Sequence, residues 1–152
     1  MPCSVVLLSV GDGDSRDAMT ATAMFVAENI PLLVVSVSKE STCHALIEKY
    51  GEFCLNVASK DQIDLARKLG ATHGKAMDKF EAFNIEVEKA SKIKSPMIAG
   101  SFANLECKVV TSHTAASYIV YMAEVTAYKT DDKRTPVAWH NDRYFALQNE
   151  IR

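Results

Sequence analysis

No stretch of this chain is apolar for long enough to cross a bilayer. The two longest runs, Ser4 to Val10 and Ile30 to Val37, are interrupted by serine and fall far short of the about 20 residues that a helical span needs. The segment Met1-Pro2-Cys3 lacks the basic leader and cleavage site of a secretory signal, so a cytoplasmic protein is expected. Cysteine is scarce. Cys3, Cys43, Cys54 and Cys107 are scattered and form no Cys-x-x-Cys pair, which argues against a disulfide scaffold or dithiol redox chemistry. All four read as reduced thiols. An excess of one charge is also missing. Seventeen Lys and Arg face nineteen Asp and Glu, a formal charge of -2, which points away from nucleic acid and from acidic lipid as partners. His44, His73, His113 and His140 share no ligand-like spacing, so no metal is expected. No Gly-x-Ser-x-Gly elbow or Ser-His-Asp set appears, which leaves a hydrolase without footing.

What is present suits a single domain over residues 1–152. Hydrophobic residues make up 48% and charged residues 24%, and a chain of this length buries roughly 70% of its unfolded surface. Ser4 to Val10 reads as a buried strand ended by the turn Gly11-Asp12-Gly13-Asp14. Ala18 to Ala27 and Leu32 to Ser38 read as two more strands, joined through Asn29-Ile30-Pro31. Cys43, Leu46, Ile47 and Tyr50 recur at helical spacing, with Ser38 or Ser41 as N-cap and Gly51 just past the end. Phe53 to Val57 is a strand. Ser59-x-x-Gln62 is a capping box that opens a helix with Ile63, Ala66 and Leu69 on its apolar face, before Gly70. Residues 71–101 read mostly as loop, with room for a helical turn between Lys75 and Phe83. From Phe102 onward the pattern has period two, giving two long strands that should pair as a hairpin. Thr130 to Arg134 is a polar turn, and Tyr144 to Leu147 closes the chain as a strand. Strands gathered around two helices without βαβ alternation predict a mainly β fold, an antiparallel barrel with added helices.

Two segments carry chemistry. Ser36-Val37-Ser38-Lys39-Glu40-Ser41-Thr42 places hydroxyls and a lysine where a strand ends and a helix begins. Unpaired first-turn N–H groups and the positive end of the helix dipole make that junction suitable for an anion such as phosphate; ordinary helix capping accounts for the same residues. Asp17-Ala18-Met19-Thr20-Ala21-Thr22 offers small side chains on a strand, which would let a flat ring approach the backbone; threonine is equally an ordinary strand residue.

In order along the chain stand Asp17 to Thr22, Pro31 to Val37, Thr42-x-x-x-Leu46-Ile47-x-x-x-Gly51-x-Phe53-x-x-Asn56, Gln62, Asp78-Lys79-Phe80 and Pro136-x-x-Trp139-His140-x-x-x-Tyr144. This set resembles the flavin reductase-like, FMN-binding split-barrel family. The resemblance implies a six-stranded Greek-key split barrel, a homodimer, and one FMN, or FAD in some members, held non-covalently. It would place Met19, Thr20, Ala21 and Thr22 along the isoalloxazine ring. Ser36, Ser38, Lys39, Ser41 and Thr42 would hold the ribityl chain and phosphate, and Asn56 belongs to the same carried-over set. His140, beside Trp139 and Arg143, is the residue to watch for contact with flavin or nicotinamide. The His73-Gly74-Lys75 stretch corresponds to a loop that can approach the cofactor.

Two positions depart from the family pattern. Asp17 stands where asparagine is usual, and an acid near a flavin ring disfavours its anionic reduced form unless the side chain points away. Ala116-Ser117-Tyr118 stands where many members have the Gly-Asp-His implicated in nicotinamide binding; Tyr118 would stack on a ring or sit in the barrel wall. The expected activity is NAD(P)H-dependent reduction of flavin or ferric iron. The alternatives are a flavoredoxin-like electron carrier reduced by a redox protein partner, and a non-redox dimeric ligand-binding module.

Overall fold

The computed structural model describes residues 1–72 and 77–151. Chain order runs β1 (Cys3–Ser4), β2 (Val6–Asp12), β3 (Ser15–Ala21), β4 (Ala23–Ala27) and β5 (Leu32–Ser38), then α1 (Thr42–Tyr50) and β6 (Glu52–Val57). A short 3-10 turn, Lys60–Gln62, leads into α2 (Ile63–Ala71), followed by α3 (Lys79–Ala82), β7 (Val87–Glu88) and β8 (Met97–Ile98). The long strands β9 (Ala103–Ala115) and β10 (Tyr118–Thr130) come next, and β11 (Val137–His140) and β12 (Arg143–Ala146) finish the chain.

Seven strands form one antiparallel sheet in the order β3-β2-β6-β9-β10-β5-β4. Its two outermost strands, β3 and β4, are separated in sequence by Thr22 alone. A sheet whose two ends are joined by one residue has to roll up until they meet, so the chain itself closes the barrel. The mainly β expectation holds, with one difference: Ala18 to Ala27 is not a single strand, because it bends at Thr22 and supplies both ends of the sheet. Counting the bent strand once restores six.

The continuous apolar run of β2 follows from burial on both faces. Val6, Leu8 and Val10 enter one core with Leu33, Val35, Val37, Phe53, Leu55 and Tyr121. Leu7, one residue out of phase, packs with Ala66, Leu69, Phe80 and Val137 in a second core. Each such large side chain contributes about 1.5–3 kcal/mol on burial. Gly11 at the end of β2 has φ 120°, and a Cβ there would sit 2.1 Å from the Ser15 carbonyl oxygen, so the turn into β3 requires glycine.

Helix α1 buries Cys43, Leu46 and Ile47 against the first core and ends at Gly51 in the left-handed region, as its spacing predicts. Its outer face is pinned by Tyr121, whose hydroxyl donates to Glu48 Oε1 at 2.6 Å and meets His44 Nδ1 at 2.6 Å. The capping box is present, with Ser59 N–H donating to Gln62 Oε1 at 3.2 Å, although the first turn it opens is 3-10. The predicted hairpin is β9 and β10. The sequence reading misses β11, which pairs with β12 through Asn141-Asp142; both turn residues have positive φ, a tight-hairpin geometry that Asn and Asp tolerate. All four cysteines are free, and among the described residues no helix is long and apolar enough to cross a membrane.

Candidate functional site

An open cavity of about 1470 Å³ lies where the bend between β3 and β4, the end of β5, the start of α1 and the last turn of α2 converge. Met19, Thr20, Ala21 and Thr22 line it on one side; Ser36, Ser38, Lys39, Ser41 and Thr42 line it on the other. Nine of the ten binding residues expected from sequence therefore face one space, although they come from two separate segments.

The α1 junction is only partly consumed by capping. Ser41 is the N-cap: its Oγ accepts from His44 N–H at 3.0 Å and donates to the Ser38 carbonyl at 2.9 Å. Ala45 N–H reaches the Ser41 carbonyl at 3.5 Å. Helix geometry leaves the Thr42 and Cys43 N–H groups without intrahelical acceptors, beside the positive end of the dipole. Lys39 adds a cation; its Nζ donates to the Ala116 carbonyl at 2.6 Å, which ties the junction to the β9–β10 turn. On the β3 side, Thr20 Oγ1 donates to the Ala66 carbonyl at 2.6 Å, fixing β3 to α2. Gly70 also lines the space. A Cβ on it would meet nothing closer than Thr20 Cβ at 3.7 Å, so protein packing does not require glycine there.

The wall contains a group that sequence reasoning left unassembled. Lys79 Nζ lies 3.0 Å from Asp17 Oδ1, with the two side chains 4% and 8% exposed, and donates to the Ala18 carbonyl at 2.8 Å. Cys43 Sγ donates to the other carboxylate oxygen at 3.4 Å. Burial, with the adjoining Asp17 charge second, pushes the Cys43 thiol well up, so it stays protonated. Asp17 thus faces the cavity rather than pointing away, but its charge is matched. Sixty-two positions separate Asp17 from Lys79, and no local pattern in the sequence announces such a pair.

Asn56 requires correction. It is fully buried, its Nδ2 donates to the Leu7 carbonyl at 2.7 Å and Ser9 Oγ at 2.9 Å, and its Oδ1 accepts from Ile98 N–H at 2.9 Å and Asn104 Nδ2 at 2.7 Å. With every polar atom engaged in the core, it does not line the cavity. His140 is likewise outside the lining. Strand alternation in β11 turns Trp139 into the cavity and its neighbour to the opposite face. Tyr144, the cross-strand partner of Trp139, joins it there with the Arg67 guanidinium 5.4 Å from its ring. Tyr118 lines the mouth and is exposed, so it is not part of the barrel's packed wall. His73, Gly74 and Lys75 lie outside the described residues.

The family described as flavin reductase like domain matches residues 1–148. The chain belongs to the flavin reductase-like family. It is 28% identical over 116 residues to the 4-hydroxyphenylacetate 3-monooxygenase reductase component of Escherichia coli, covering 75% of this chain and 67% of that protein. Two solved structures share its fold. The NADH:FAD oxidoreductase SgcE6 of Streptomyces globisporus, in complex with NAD and FAD fragments, superposes with a TM-score of 0.87 at 21% identity, over 100% of this chain and 89% of that one. The flavoredoxin of Desulfovibrio vulgaris (Miyazaki F) gives a TM-score of 0.88 at 19% identity, over 99% and 90%. The flavin reductase-like chain is thus as close in fold to a flavoredoxin as to an NADH:FAD oxidoreductase.

Proposed function

We propose that this chain is an NAD(P)H:flavin oxidoreductase that holds FMN, with FAD as the alternative, and reduces it with NADH or NADPH to serve free flavin, ferric iron or a partner enzyme. The observation that carries the reading is the shared cavity: a small-residue ribbon and a helix N-terminus, distant in sequence, face one nucleotide-sized space. The donor set fits the group. Thr42 and Cys43 N–H, the Thr42 hydroxyl and Lys39 would hold a phosphate, Ser36 and Ser38 the ribityl chain, and Met19 to Thr22 the ring, with Gly70 leaving room against α2. Bound flavin supplies the hydride-accepting ring; the protein's part is to orient it, shield it and set its electrostatics.

A homodimer is part of the proposal. Met24, Phe25 and Val26 are exposed on β4, which stands at the end of the sheet order with β5 as its ladder partner, and a second copy covering them would bury this apolar edge. The second reading is a flavoredoxin-like carrier in the cytoplasm, and Tyr118 at the cavity mouth, where many relatives have histidine, favours it. Purified protein should be yellow and release FMN on denaturation. Anaerobic mixing with NADH or NADPH should bleach it. Reduction only by a protein donor selects the carrier; absence of flavin binding defeats both.

A further inference from the structure

The ion pair in the cavity wall has no explanation in stability. A buried pair contributes little or nothing beyond what well-packed apolar residues of the same size would, yet here an ammonium, a carboxylate and a thiol are buried together. Their position says more. Lys79 bonds to the Ala18 carbonyl, next to the Met19 to Thr22 ribbon, and Cys43 lies in the first turn of α1, so the group joins both halves of the cavity it lines. Asparagine at position 17 would offer the same acceptor to Lys79; the formal charge is what aspartate adds. Close to a low-dielectric wall, one unit charge acts strongly on its surroundings.

We propose that Asp17 is a potential-setting counter-charge: it cancels the Lys79 ammonium and thereby prevents the site from over-stabilising the reduced, negatively charged form of the bound ring. This rests on the flavin reading above. Reduction by NAD(P)H moves a hydride, two electrons and one proton, leaves NAD(P)+, and adds one negative charge to the ring. An unopposed Lys79 would favour that charge, hold the reduced flavin more tightly and make it a poorer donor to the next acceptor. The acid that departs from the family pattern would thus keep the reduced flavin reactive and releasable.

The test compares the FMN-loaded wild type with Asp17→Asn, Lys79→Gln and the double variant. Dissociation constants for oxidised FMN come from quenching of its fluorescence, and the bound potential from anaerobic equilibration with a reference dye. Asp17→Asn should raise the ratio of oxidised to reduced dissociation constants about tenfold, a positive shift of about 30 mV for a two-electron couple. Lys79→Gln should move the ratio the other way, and the double variant should return within about threefold of wild type. Should Asp17→Asn fail to fold, Lys79→Gln against the double variant isolates the carboxylate and should show the same tenfold rise. A ratio within twofold of wild type in Asp17→Asn, or, failing that protein, between Lys79→Gln and the double variant, overturns the inference, because a purely structural pair changes melting temperature without moving the potential. Wild type that binds no FMN overturns the flavin reading itself; FMN bound with an invariant ratio overturns only this inference.

Discussion

Two buried polar clusters, one around Asn56 and one around Asp17, differ in what their polar atoms are left to do. Asn56 is closed: its amide bonds two strands and the backbone of β8, and every acceptor and donor is protein. Asp17, Lys79 and Cys43 are equally buried but form the wall of an open cavity, beside N–H groups that the α1 cap does not use. Residue type does not separate a structural hub from a ligand site, for both clusters hold amides or carboxylates in strands. Saturation and access do.

The largest effect should come from attacking the closed cluster. Asn56→Ala removes five hydrogen bonds, leaves the Ile98 N–H without its acceptor and strands the Leu7 carbonyl, while the Asn104 amide keeps only the Ile98 carbonyl. With buried unsatisfied groups costing about 1–3 kcal/mol each, a loss of about 3 kcal/mol or more is expected in urea unfolding. The folded fraction should keep its FMN stoichiometry. Loss of flavin without loss of stability would instead make Asn56 a cofactor contact and erase the contrast.

That reversal for Asn56 shows where sequence reading stops. The helix over 42–50 was legible because Ser41, the Cys43-Leu46-Ile47-Tyr50 stripe and Gly51 are local signals, each acting within a few residues. The strand Leu32–Ser38 was legible for the same reason. Convergence of Thr20, Ser38 and Thr42 on one cavity was not, since it depends on how a seven-stranded sheet rolls up; only the family resemblance supplied it. The Asp17–Lys79 pair was invisible because the two residues lie in separate segments and no local signal joins positions so far apart in the chain. His140 escapes sequence reading for a simpler reason: no local pattern announces β11, and only along that strand does alternation send Trp139 inward and its neighbour outward.

A middle-sized effect should separate capping from ligand binding within one junction. Ser41→Ala should cost about 1 kcal/mol, since its Oγ is the cap of His44 N–H, with flavin affinity reduced as the helix end loosens. Thr42→Ala, one residue on and not the cap, should leave urea stability within about 0.5 kcal/mol while FMN affinity falls several-fold. Equal stability losses in the two variants would mean that Thr42 is structural too.

The smallest effect has opposite signs in the two measurements. Glycine within a helix is about 0.5–1 kcal/mol less favourable than alanine, and Gly70 belongs to α2 with no backbone angle or neighbour that demands it; the nearest atom to an added Cβ is 3.7 Å away. Gly70→Ala should therefore stabilise the flavin-free protein by about 0.5 kcal/mol, read in urea unfolding. The same methyl protrudes into the cavity, so FMN affinity should drop by about threefold or more. A gain in stability with unchanged affinity would show that the ring does not approach α2, and would confine the ligand to the β3 ribbon and the α1 junction.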